Sequence, residues 1–144
     1  MNGFFRARDI SLAIPTYRRE QVLLHTLGSF LEGQREQPGE VLVLDQTPQH
    51  EAPTERALAA WNEQGAIRWL RLPEPGIPGA MNTALLEAAK PLVLFVDDDV
   101  VPSADLVATH AAAYREEDVW AVAGQVLQPF EEPVEGAVPP GGVG

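Results

Sequence analysis

Apolar residues along the chain fall into short unbroken runs and longer interrupted stretches, and the two alternate. ISLAIP (10–15) is a run rich in β-branched residues closed by a proline, the pattern of a buried strand. EQVLLHTLGSFLEG (20–33) places Val22, Leu23, Leu27, Phe30 and Leu31 at helical spacing, with Gly33 as a stop. EVLVLD (40–45) is a second apolar strand ending in an acid, and APTERALAAWNEQG (52–65) a second helix, with Thr54 as its expected N-cap and Gly65 at C′. AIRWLRL (66–72) alternates imperfectly and predicts a third, less buried strand. LPEPGIPG (72–79) is a loop, and Pro78 opens a helix to about Ala89. PLVLFV (91–96) is a fourth strand. Pro102 and Ser103 open a helix, capped by Ser103, with Leu106, Val107, His110 and Tyr114 on one face. VWAVAGQV (119–126) predicts a fifth strand.

Strands alternating with helices imply an α/β fold: a Rossmann-like, mostly parallel sheet with helices on both faces. In such sheets ligands sit at the carboxyl ends of strands. Pro15-Thr16-Tyr17, Asp45 and the acidic triplet Asp97-Asp98-Asp99 all fall at such ends. The pattern assigns residues 1–127 to one α/β domain. Residues 128–144, dominated by proline, glycine and glutamate, form a tail or linker.

Charge narrows the function. The net charge of −11 argues against a nucleic-acid or anionic-membrane surface, which needs clustered lysine and arginine. It leaves room for a phosphate-bearing ligand, because one metal ion or one arginine reverses the local sign. The chain has no cysteine, so disulfides, thiolate metal sites and thiol nucleophiles are out. No secretory leader or run of ~20 apolar residues is visible, so the expectation is a cytoplasmic protein without a transmembrane segment, peripheral membrane attachment remaining open.

LVLFVDDDVVP (92–102) carries the strongest chemistry: an apolar strand runs into three adjacent carboxylates. Unit charges ~4 Å apart repel by about 4 kcal/mol at an effective dielectric of about 20. A hard divalent cation, Mg²⁺ or Mn²⁺, is the simplest partner, and a turn at Asp98 lets Asp97 and Asp99 converge on it. An acidic lead-in to the following helix would need only one of the three. Asp45 suits a ligand's ring N–H or ribose hydroxyl, or an Asx turn before Thr47-Pro48. After the first strand, Tyr17 offers a stacking surface and Arg19 a phosphate contact. PEPGIPGAMN (73–82) leads to a helix N-terminus, a place for a phosphate, or is only a rigid connection. His25, His50 and His110 are scattered without metal-ligand spacing.

Together these segments resemble the donor half of a family 2 glycosyltransferase, the inverting group with the GT-A fold. SLAIPTYRRE is similar to that family's first strand and its P-T-Y-N-R signature, here Pro15, Thr16, Tyr17, Arg18 and Arg19, with Arg18 in the asparagine position. EVLVLDQT resembles the second strand, whose terminal acid, here Asp45, meets the nucleotide base. GIPGAMNTALLEAA resembles the G-x-x-x-A-x-N-x-G segment through Gly76, Ala80 and Asn82, with Met81 where many members carry arginine and Thr83-Ala84 in the glycine region. LFVDDDVVP resembles the D-x-D motif, giving Asp97, Asp99 and the later Pro102.

The resemblance implies transfer of a sugar from a nucleotide diphosphate donor to an acceptor hydroxyl, with inversion. Its donor contacts would be Pro15, Thr16, Tyr17, Arg19, Asp45, Gly76, Asn82, Asp97 and Asp98, and its metal ligands Asp99 and Asp97, for Mn²⁺ or Mg²⁺. On this resemblance the acceptor half is expected to be lacking, the general base is expected downstream of Gly144, and self-association or a partner supplying that half is expected. VLFVDDDVV also fits the haloacid-dehalogenase-type phosphohydrolase pattern, but those enzymes carry it on the first strand and need a later lysine, and none follows Lys90. A non-catalytic nucleotide- or metal-binding module is the third reading.

Overall fold

The computed structural model describes residues 5–114. Four strands, β1 (Ile10–Thr16), β2 (Glu40–Asp45), β3 (Arg68–Arg71) and β4 (Leu92–Phe95), form one sheet in the order β3-β2-β1-β4. Every pairing is parallel, with Thr16 opposite Asp45 and Ala13 opposite Phe95. The helices are α1 (Gln21–Gly33), α2 (Ala52–Glu63), α3 (Ile77–Glu87) and α4 (Leu106–Ala113).

The period-2 alternation of β1 sorts the core into two layers. Ile10, Leu12 and Ile14 face a cluster with Leu23, Leu27 and Phe30 of α1, Leu58 of α2 and Val107 of α4. Ala13 faces the other side, where Leu42 and Leu44 of β2 meet Ala80 and Ala84 of α3. The helices thus cover both faces, three against one. Alanines at the inner positions of α3 bring that helix close to the sheet, while its Ile77, Leu85 and Leu86 are exposed.

The chain steps from β1 to β2 to β3, and α3 then carries it back to the far side of β1. The strand order reverses between β1 and β4, and the crevice at their carboxyl ends is where a sheet of this kind receives ligands.

The elements follow the sequence pattern, with β3 and β4 shorter than their apolar runs, but two caps differ. Thr54 lies buried inside α2; the N-cap is Glu51, whose N–H donates to the Glu20 carboxylate at 2.8 Å. Ser103 does not cap α4, which starts at Leu106 after Asp105. Buried Gln34, at the end of α1, does that work from a distance: its Oε1 accepts from the Val107 N–H at 3.1 Å and its Nε2 donates to the Ser103 carbonyl at 2.6 Å. Gly65 takes the left-handed conformation expected of a C′ glycine, with φ 80°. The strand at 119–126, the boundary at 127 and the tail at 128–144 lie outside the described residues.

Candidate functional site

A cleft of about 540 Å³ opens at the carboxyl ends of β1 and β4. Pro15 and Thr16 of β1 border it with Tyr17 and Arg19 from the loop that follows, and Phe95 of β4 with Val96 and all three aspartates just beyond it. Gln46 from the end of β2, with Ile77 and Met81 from α3, completes the wall.

The three aspartates divide by direction. Strand pairing continues one residue past β4, the Val96 N–H donating to the Ala13 carbonyl, and the chain then turns at Asp98 and Asp99. The turn folds the Asp98 side chain inward, where the Thr16 hydroxyl donates to it at 2.7 Å and the Arg19 guanidinium stands 3.6 Å away. Burial pushes the Asp98 carboxyl above its ordinary pKa; Asp99 and Asp97 push the same way, and Thr16 and Arg19 oppose them. Asp97 and Asp99 are exposed and border the same cleft, as a turn at Asp98 requires. Thr26 of α1 fixes the turn by donating its hydroxyl to the carbonyls of Asp98 (2.9 Å) and Val100 (3.2 Å).

Part of the acidic cluster is therefore balanced by Arg19, which also reaches to 4.0 Å from Asp99. Asp97 and Asp99 still present carboxylate oxygens outward, a hard donor set that suits Mg²⁺ or Mn²⁺. Among the described residues no three acidic or histidine side chains gather into a complete ligand set. Two carboxylates are enough for an ion that keeps waters and substrate phosphates as its other ligands.

Asp45 does not face this cleft. Its side chain is fully buried, and three donors hold it: the Thr47 N–H at 3.0 Å, His50 Nε2 at 2.5 Å and the Trp69 indole N–H at 2.8 Å. His50 is in turn bonded through Nδ1 to Glu20 at 2.8 Å. Burial disfavours the charged imidazole, but the hydrogen bonds and charges of Glu20 and Asp45 outweigh it and raise the His50 pKa. Burial likewise works against ionised Glu20, and the contacts to His50 and the Glu51 N–H prevail and lower its pKa.

Gly76 is the N-cap of α3 with φ 144°, a conformation that favours glycine, and its carbonyl accepts from Gln46 Nε2 at 2.7 Å. Asn82 is exposed on α3 and outside the cleft wall. Tyr17, 42% exposed, accepts a hydrogen bond from Arg18 Nε at 2.8 Å. Arg18 sits in the left-handed region, φ 56°, which asparagine tolerates better than arginine; this accounts for asparagine in the signature that Arg18 departs from. Three participants carried no signal in the sequence: Gln46, His50 and Thr26. Their partners lie on other elements, and a single chain of letters does not show that pairing.

The model of glycosyl transferase family 2 matches residues 11–140. The chain belongs to glycosyl transferase family 2. Among solved structures, the domain is similar to the mannosyltransferase PcManGT from Pyrobaculum calidifontis in complex with GDP-Man and Mn²⁺, at 25% identity and a TM-score of 0.66, over 87% of this chain and 37% of that one. It is also similar to TarS (1–349) of S. aureus, at 26% identity and a TM-score of 0.56, over 72% of this chain and 31% of that one. TarS (1–349) has also been solved with UDP-GlcNAc, and this chain matches that complex with a TM-score of 0.55. This family 2 chain thus spans about a third of the length of those relatives. Among curated proteins none matches it. Membership of family 2 takes the place of the phosphohydrolase alternative, and no helix among the described residues is long and apolar enough to cross a membrane.

Proposed function

We propose that this chain forms the donor side of an inverting glycosyl transfer site, binding a nucleotide diphosphate sugar with a divalent ion at Asp97 and Asp99. The observation that carries the reading is the convergence of Tyr17, Arg19, Asp97 and Asp99 on one cleft where the strand order reverses. The GDP-Man, Mn²⁺ and UDP-GlcNAc named with the solved relatives support both the donor class and the metal.

In this reading Tyr17 offers its ring to the base and Arg19 its guanidinium to the diphosphate. Diphosphate entering the cleft competes with Asp98 and Asp99 for Arg19. Bound Mn²⁺ or Mg²⁺ supplies Lewis-acid charge where negative charge develops on the leaving diphosphate. Deprotonation of the acceptor hydroxyl falls to a general-base carboxylate in the part of the transferase that the solved relatives have and this chain does not span.

Calorimetric titration of UDP, GDP and dTDP, with Mn²⁺ and with chelator, tests the reading. Binding of at least one nucleotide is expected to need the ion and to weaken about 100-fold or more in Asp99→Asn, as when a charged ligand group is removed. Metal-independent binding that Asp99→Asn leaves intact would contradict it. Tight binding without turnover, even in a full-length relative carrying this domain, would instead favour a non-catalytic module.

A further inference from the structure

We infer that His50 is a positioning residue for donor binding: bridging two carboxylates, it latches the loop that carries Tyr17 and Arg19, and the latch opens when the imidazole gives up a proton. This rests on the donor-site reading above and adds to it the means by which the loop is held and released.

Residues 17–20 follow β1 with alternate members tied to opposite sides. Tyr17 and Arg19 border the cleft. Arg18 and Glu20 are pinned from behind by the segment that follows β2. The Arg18 N–H donates to the Thr47 hydroxyl at 2.8 Å. The Glu20 carboxylate takes His50 Nδ1 at 2.8 Å on one oxygen and the Glu51 N–H at 2.8 Å on the other. His50 reaches on through Nε2 to Asp45, at the end of β2, at 2.5 Å. The imidazole therefore ties the loop to the sheet.

The bridge has a fixed proton count. An ionised carboxylate only accepts, so each ring nitrogen must carry a hydrogen, and only the imidazolium has both. The raised pKa of His50 agrees with that geometry. A neutral imidazole keeps one N–H and turns a lone pair toward the other carboxylate. Exposure decides which bond survives. The Asp45 side chain is 0% exposed and water cannot replace His50 there, whereas the Glu20 side chain is 23% exposed and can turn to solvent. Deprotonation therefore keeps the bond to Asp45 and releases Glu20.

The charged groups that bear on His50 are Glu20 from the start of α1 and Asp45 from β2. From β3 the neutral Trp69 ring faces it, with centroids 6.4 Å apart, and Arg71 stacks on that ring. Once Glu20 is released, the loop keeps its Thr47 contact but loses its tie to the sheet through His50. Arg19, whose guanidinium is held only by ion pairs of 3.6 and 4.0 Å, is then less well placed. A nucleotide must order the loop as it binds, and its affinity falls.

The test is titration of UDP and GDP with Mg²⁺ from pH 6 to pH 9, on wild type, Glu20→Gln and Glu20→Ala, each kept below its thermal transition. An amide both donates and accepts, so the side chain of Glu20→Gln meets Nδ1 with or without its proton and keeps the latch closed throughout. Protonation of the nucleotide phosphate is common to both proteins, so the readout is the ratio of wild-type to Glu20→Gln Kd at each pH. That ratio is expected to rise about 5-fold or more between pH 6 and pH 9. Glu20→Ala is expected to bind as weakly at pH 6 as wild type does at pH 9, relative to Glu20→Gln. A ratio that stays constant with pH, or Glu20→Ala binding as tightly as wild type at pH 6, would overturn the latch while leaving the donor site standing. If the alanine variant does not fold, the ratio alone decides. Absence of metal-dependent binding of either nucleotide by wild type at pH 6 would overturn both.

Discussion

His50 is caged by two carboxylates, and the stability of the fold should follow its protonation. Its folded pKa is raised, so the stabilisation is complete below the ordinary value of 6.5 and is lost as pH rises through the folded value. Glu20, whose pKa is lowered, acts in the opposite sense: its contribution is present above 4.5 and is lost as pH falls through its folded value. The expected profile of denaturation midpoint against pH therefore has a maximum between these limits. His50→Ala lowers stability by about 3–5 kcal/mol at pH 6, because it strands the buried Asp45 carboxylate, and flattens the upper limb. An unchanged upper limb in the variant would assign that limb to another group. Nothing in the sequence flagged this residue. His50 looked like one of three scattered histidines because its partners are Glu20, thirty residues away, and an aspartate whose terminal position suggested a ligand contact instead. The acidic triplet was far more legible, since three charges after an apolar strand demand a physical explanation wherever the chain folds. Even there the division of labour was hidden: the inward turn of Asp98 depends on Thr16, 82 residues earlier.

At the scale of elements, the site depends on a helix that does not border the nucleotide-side cleft with its inner face. Thr26 of α1 holds the carbonyls of Asp98 and Val100 and so sets the turn that aims Asp97 and Asp99. Thr26→Val keeps the side-chain shape and removes both bonds. The expected cost is about 1–3 kcal/mol of stability for carbonyls left without a partner, together with weaker Mn²⁺-dependent nucleotide binding. A variant less stable yet binding with full affinity would show that the turn keeps its geometry without α1. The element order was readable because apolar runs and helical periodicity differ in period, and each run sits between proline or glycine breaks. The caps were not. Thr54 and Ser103 are good local candidates, but Glu20 and Gln34 supply the contacts from neighbouring helix ends, and local propensity carries no information about a side chain 73 positions away.

For the molecule as a whole, an acidic chain gathers exposed acids and a basic side chain at one cleft. The net charge of −11 would repel a nucleotide diphosphate at long range, and the cleft answers it locally through Arg19 and the carboxylates that suit a divalent ion. That sheet order, the family match and the position of Tyr17 and the aspartates all lead to the same crevice between β1 and β4. The central claim is that metal and nucleotide meet there. The most direct measurement is a backbone amide NMR spectrum of the protein with GDP or UDP, recorded before and after substoichiometric Mn²⁺. Paramagnetic broadening confined to the segments around residues 15–19 and 96–100, with α2 unaffected, is the predicted result. Broadening spread over the acidic surface, with those two segments no more affected than α2, would contradict the account.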